Sequence, residues 1–351
     1  MSTSTKFPST TLHILRTHSG PVNAVTFSSS PGTYLLTGSS DRSIHLSRAL
    51  PQSSSTSPQI TTSPIQKYEA HGYSVLDIAV SADNARFASV GGDKQVFLWD
   101  VETGSTIRRW SGHTGRVEAV AFGGEGDSVV ISGIELISSL SWIGSADSDV
   151  KIWDTRSLTS KPVQTLTEAT DTVSSVYVHM PTSSIITASY DGRIRTYDLR
   201  MGEMRVDVMA HPVTSIQGST DGKAMLASCL DGRIRMVDRD DGSVLKSFGD
   251  GNPSSASEKR KAPVYMNKEL RIRSTFTKGD SVVLSGSETP DASFGRENAQ
   301  ATVVAWDVLT GNVIQTVSVG AGIKVVSCVT WNEKGSSWAG GCSDGTVKVY
   351  G

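Results

Sequence analysis

With 351 residues, 33 Lys and Arg against 35 Asp and Glu, and a formal net charge of -2, the chain has room for two ordinary domains or one large repeat architecture. This charge balance gives no global pull toward nucleic acid or a membrane surface. Three cysteines, Cys229, Cys328 and Cys342, are too few and too odd in number for a disulfide framework, which points to a reducing, intracellular compartment.

Residues 1–10, rich in Ser and Thr, read as a disordered tail without the apolar core of a signal peptide. Thr11 to Arg16 (TLHILR) alternates as a strand does, yet it precedes the first repeat, which opens at His18-Ser19-Gly20. Residues 51–64 (PQSSSTSPQITTSP) are of low complexity and read as a flexible loop. The clearest unit is 71–100, HGYSVLDIAVSADNARFASVGGDKQVFLWD. Its apolar runs at Val75–Val80, Phe87–Val90 and Val96–Trp99 are strands, separated by turns at Ser81–Asn84 and Gly91–Asp93. Three short strands cannot bury both faces alone and need neighbours of the same kind.

Counting each turn Asp with the residue six positions later recovers Asp41/Ser47, Asp93/Trp99, Asp147/Trp153, Asp191/Tyr197, Asp231/Val237 and Asp344/Tyr350. Trp306-Asp307 marks one more copy, before the last, whose turn Asp is displaced or lost. The final copy stops at Tyr350-Gly351 with no residues left for a fourth strand, so Thr11–Arg16 is expected to complete it and close a ring with few exposed edges. A buried turn Asp must be paired, and His, Ser and Trp each carry a donor that can chain to it. His71, Ser89, Asp93 and Trp99 form one such tetrad, and His113, Ser132, Asp147 and Trp153 the other. Ser47 and Val237 lack the ring and no Gly-His opens the fourth and sixth copies, so those units are expected to rest on apolar packing.

The Gly-Asp turn and the Trp99-Asp100 ending resemble a WD-repeat blade. That resemblance implies an all-β, seven-bladed WD-repeat propeller over residues 11–351. Besides 51–64, inserts at 134–144, 252–262 and 289–300 stretch the regular spacing; all three fall on the face shared by the blade-joining loops, where recognition is expected. The segment 134–144 (IELISSLSWIG) reads either as a hydrophobic finger for a partner or as an aberrant stretch of the gene model.

Catalytic chemistry is thin. Gly341-Cys342-Ser343-Asp344-Gly345 matches a nucleophile-elbow pattern on paper, but a strand follows it where that elbow needs a helix, so it reads as the last blade's turn. The histidines show no ligand spacing, and neither a metal nor a cofactor is expected. Two basic leads remain. Arg193, Arg195, Arg233 and Arg235, in the twice-repeated Asp-Gly-Arg-Ile-Arg, read either as polar strand faces or as a basic strip for an acidic segment or RNA backbone. Lys259, Arg260, Lys261, Lys268, Arg271 and Arg273 read as a solvated loop, an RNA contact or a nuclear-import signal.

HGYSVLDIAVSADN, PVQTLTEATDTVSSV (162–176), DGRIRTYDLRMGE (191–203) and LDGRIRMVDRDDG resemble the mitogen-activated protein kinase organizer family. The resemblance implies a non-enzymatic scaffold, a monomer within a larger complex, cytoplasmic and nuclear, working with spliceosomal factors or kinase-cascade components. Contacts expected beside the turn Asp or near the channel are Tyr73, Leu76, Arg116, Glu118, Tyr190 and Leu230, with the exposed aromatics Tyr73 and Tyr190 foremost. Arg156 and Arg200, each two residues after a terminal Asp, resemble the motif by which substrate receptors dock on a cullin–RING ligase adaptor.

Overall fold

In the computed structural model, residues 7–51, 58–135, 148–249, 265–289 and 300–351 are described. They form seven sheets, six antiparallel ones of four strands and one of five strands with a parallel edge, in the order of a seven-bladed propeller. Blade two shows the unit: Val75–Val80 innermost, then Arg86–Gly91, Gln95–Asp100 and Thr106–Ser111 at the rim. The turn between second and third strands needs a left-handed residue. Gly192, Gly232 and Gly345 supply it after Asp191, Asp231 and Asp344, and Arg42 and Lys94 adopt it in blades one and two.

The apolar core is not central. It is divided into seven clusters, each straddling the seam between two neighbouring blades. One joins Val90, Leu98 and Trp110 of blade two to Val117, Val120 and Trp153 of blade three. No blade therefore owns a complete core, which is why the ring must close.

Closure is made by the N-terminal strand, as the sequence leads one to expect. Thr11–Leu15 pairs antiparallel with the last strand, His13 opposite Val349 and Leu15 opposite Val347. Two features differ from the sequence reading. Residues 7–10, within the expected tail, are seated: Phe7 is buried against Trp331, and the Pro8 carbonyl accepts the Trp338 indole N–H at 2.9 Å. Gln59–Thr61, within the expected loop, forms a fifth strand parallel to Thr11–Leu15. There His13 Nε2 meets Thr61 Oγ1 at 2.8 Å, and the Arg16 amide donates to the Thr61 carbonyl. The inserts 252–262 and 290–299, and all of 134–144 beyond Glu135, lie outside the described residues, as does Asp147.

A bulge recurs at the second residue of every inner strand except that of blade six: Asn23, Leu76, Glu118, Ser174, Thr214 and Ser327. Four of these donate a side-chain hydrogen bond to the next blade, at its inner strand or, for Thr214, just before it. Asn23 reaches the Val75 carbonyl, Ser174 that of Val213, Thr214 that of Ile272 and Ser327 that of Val22. Leu76 and Glu118 have no donor to offer, and the channel chemistry below answers that gap.

Candidate interaction face at the channel mouth

The polar chains under this face form in the described blades as donor geometry requires. In blade two the Trp99 indole donates to Ser89 Oγ (2.8 Å), Ser89 Oγ lies 2.8 Å from His71 Nε2, and His71 Nδ1 lies 2.7 Å from Asp93. Blade three repeats the first two links through Trp153, Ser132 and His113. Blade one carries a variant that residue types alone hide. His18 joins Asp41 (2.9 Å) to Thr37 (2.8 Å), and His45 stacks on it with ring centroids 4.0 Å apart in place of the missing indole.

Blades four and five, expected to rest more on apolar packing than on a polar chain, carry a polar pairing of their own. Arg195 donates to Asp191 at 2.6 Å and Arg235 to Asp231 at 2.5 Å, so an i, i+4 arginine holds each turn Asp; in blade four it replaces the missing histidine, and in blade five it stands beside His211, which lies 3.8 Å from Asp231. Arg195 is only 2% exposed. Arg195 and Arg235 are consumed within their own blades, which takes two of the four arginines out of the expected basic strip, while Arg193 stays exposed.

The histidine arrangement carries a pH prediction. Burial, reinforced by the neighbouring His18, pulls His45 down to about 4, and burial with Lys151 nearby pulls His113 down to about 3. Both folded values lie below the unfolded one near 6.5. The unfolded chain therefore binds more protons in acid, and stability falls as pH drops below about 6.5, by at most about 1.4 kcal/mol per pH unit for each histidine. Thermal midpoints measured from pH 7 to 4.5 should decline, and His45→Phe, which keeps the stack but cannot titrate, should make the decline shallower.

At the channel mouth the second basic lead resolves in part, since Lys259, Arg260 and Lys261 lie outside the described residues. Arg271 and Arg273, on the approach to blade six, reach across the ring rather than out to solvent. Arg273 donates to the Asp77 carboxylate at 2.6 Å and the Leu76 carbonyl at 3.1 Å. Arg271 donates to the Glu118 carbonyl at 2.6 Å and its carboxylate at 3.2 Å. The two carbonyls belong to the two bulge residues, Leu76 and Glu118, that make no donor bond of their own. Asp77 also accepts the Val120 amide at 3.1 Å, so one carboxylate ties blades two, three and six. The Glu288 carboxylate fixes the approach, accepting the successive amides of Lys268, Glu269 and Leu270. Beneath this cross-brace the channel keeps a cavity of about 220 Å³.

Of the expected contacts, Leu76, Arg116, Glu118 and Tyr190 gather around this brace. Arg116 pairs with both Glu135 oxygens and lies 3.8 Å from Glu118. Tyr190 is half-buried beside it; burial raises its phenol pKa, with Arg271 opposing and Glu118 and Glu135 adding to the rise. Tyr73 stands 65% exposed next to Gly92, and the Arg116 side chain borders the same space beside that glycine. Leu230 is half-buried in its turn, its amide held by the Pro212 carbonyl. Arg156 and Arg200 sit elsewhere, exposed on the ends of the third strands of blades three and four. Among the described residues no group of three or more His, Cys, Asp or Glu could hold a metal ion. Ser343 lies in the turn between Ser337–Cys342 and Val347–Tyr350, and its hydroxyl accepts the Lys324 amide.

The repeat described as WD domain, G-beta repeat matches residues 9–46, 62–100, 104–154, 160–198, 204–238 and 313–351. The chain is 31% identical over 305 residues to the WD repeat domain-containing protein 83 homolog of Dictyostelium discoideum, covering 79% of this chain and 82% of that protein. It is 34% identical to WD repeat domain-containing protein 83 of Rattus norvegicus over 168 residues, 48% of this chain and 45% of the relative. It is 25% identical to autophagy-related protein 16 of Arabidopsis thaliana over 346 residues, 98% of this chain and 58% of the relative. The chain belongs to the WD-repeat propellers and, among them, to the family of WD repeat domain-containing protein 83.

Proposed function

We propose that this propeller is a non-enzymatic scaffold that holds protein partners on its channel-mouth face, as an assembly subunit of the splicing machinery or of a mitogen-activated kinase module. The observation that carries the reading is that exposed Tyr73 and Arg116 stand side by side at Gly92, on a face stiffened from beneath by Arg271 and Arg273. Aromatic and arginine side chains on a rigid support lose little freedom on binding and dominate interface energetics. Four of the arginines that suggested RNA contact, Arg195, Arg235, Arg271 and Arg273, are paired internally, which favours protein over nucleic acid as the direct ligand. The work would be both nuclear and cytoplasmic.

The test is affinity purification of the tagged protein from nuclear and cytoplasmic extracts, with and without ribonuclease, beside a Tyr73→Ala/Arg116→Glu variant. Ribonuclease-resistant recovery of splicing factors or kinases, lost in the variant, is the expected result. Full recovery by the variant overturns this face as the platform. A second reading, docking on a cullin–RING adaptor, draws on the exposure of Arg156 and Arg200 on neighbouring blades; adaptor capture abolished by Arg156→Ala/Arg200→Ala would favour it.

A further inference from the structure

The outer strands of blades one and three are cut short. Gln66–Tyr68 and Gln164–Leu166 have three residues each, where blade two's outer strand, Thr106–Ser111, has six. The shortened strands pair only as far as Leu46 and Ile152, leaving the next residues of those third strands without a rim partner in the sheet. Beside each a cleft opens at the seam with the following blade, about 380 Å³ between blades one and two and about 540 Å³ between blades three and four.

The two clefts are built from corresponding residues. Leu36, Leu46 and Val80 line the first where Ile131, Ile152 and Val178 line the second. Their lips differ in charge: Glu102 stands on the first at the place that Arg200 takes on the second. The second cleft is the larger and is ringed by apolar side chains held in water, Val163 at 67% exposure, Met180 at 46% and Leu199 at 45%. Arg200 forms no ion pair among the described residues. Nor does Arg156, whose guanidinium reaches only the Glu125 carbonyl, at 3.4 Å. Glu125 is the one acidic residue on the lining. These apolar side chains are contiguous around a concave site, and the guanidinium of Arg200 at its lip favours a carboxylate.

We infer that the blade three–four cleft is a second docking site, and that it takes a short protein segment carrying a bulky apolar side chain with an Asp or Glu within a few residues. The apolar side chain enters between Ile152 and Val178, and the carboxylate pairs with Arg200. A volume of this size falls in the range of pockets that enclose compact ligands, roughly 300–1,000 Å³. The site is separate from the channel mouth and stands whether or not that face proves to be the platform.

The test is selection of random peptides displayed on phage against the immobilised full chain, followed by fluorescence anisotropy of the enriched peptide made synthetically. Enrichment of a motif joining Leu, Phe, Met or Trp to a nearby Asp or Glu is expected. Arg200→Glu should weaken its binding about tenfold and Leu199→Asp by at least as much, with Tyr73→Ala unchanged. Both cleft substitutions are at exposed positions, so thermal midpoints should match the parent. Failure to enrich such a motif overturns the inference, as does binding indifferent to both cleft substitutions. A motif lost on Tyr73→Ala instead would place the peptide at the channel mouth and equally overturn it.

Discussion

Arg273→Met should cost about 3 kcal/mol of folding stability, the penalty for breaking a largely buried ion pair. At about 2 cal/mol/K of unfolding entropy per residue, that is a fall in thermal midpoint of roughly 4 °C for this chain. The size of the effect follows from what is stranded. Arg273 supports the Leu76 carbonyl as well as the Asp77 carboxylate, and Asp77 is set in a wall that cannot relax toward solvent. Asp77→Ala should be worse, because it leaves Arg273 Nη1 and the Val120 amide without their acceptor and the buried guanidinium without its counter-charge. A double-mutant cycle between the two positions, read by denaturant unfolding, should give a coupling above 1 kcal/mol; strict additivity would mean that the arginine does not brace the ring.

Removing residues 1–17 should have the larger consequence: the protein should unfold or associate through the bared edge. The deletion strips the partner of Val347–Tyr350 and leaves Gln59–Thr61 with nothing to pair. It also removes Phe7 and the acceptor of the Trp338 indole, opening the seam between blades six and seven. Light scattering and circular dichroism report the two outcomes, and a synthetic peptide of residues 7–17 added in trans should restore a folded monomer. A truncated chain that stays monomeric and keeps its thermal midpoint would show that the ring closes without this strand.

Much of this architecture is legible in residue order because it is local. The Asp-to-Trp spacing of 71–100 defines a blade, and the strand missing at Tyr350 points back to Thr11. What stays hidden depends on which side chains face each other across the channel. Arg271 and Arg273 are separated from Glu118 and Asp77 by more than 150 residues and look, in a one-dimensional reading, like one more basic loop. A usable signal does exist: the inner strands read Val-Asn, Val-Ser, Val-Thr and Val-Ser where the bulge donates to its neighbour, and Val-Leu and Val-Glu where it does not. Arg195 was misread for a related reason. Alternation places it on the same side as Arg193, but only the turn geometry shows that its guanidinium folds back on Asp191. Tyr73 was readable, since a large aromatic beside a Gly-Gly turn has little to pack against. The blade three–four cleft was not, because it arises from residues that the outer strand fails to cover.

The parallel pairing of Gln59–Thr61 with Thr11–Leu15 bears on how the protein is made. The closing strand is synthesised first and its final partner last, so at the usual 5–20 residues per second some tens of seconds separate the two. An unpaired strand waiting that long at the ribosome is exposed to wrong partners. Thr61 emerges early, and with it the hydroxyl partner of His13 and the acceptor of the Arg16 amide. The fifth strand can therefore shelter one edge of the N-terminal strand beside blade one until Val347–Tyr350 arrives to take the other, giving the nascent chain a guard at the seam where the ring will later join.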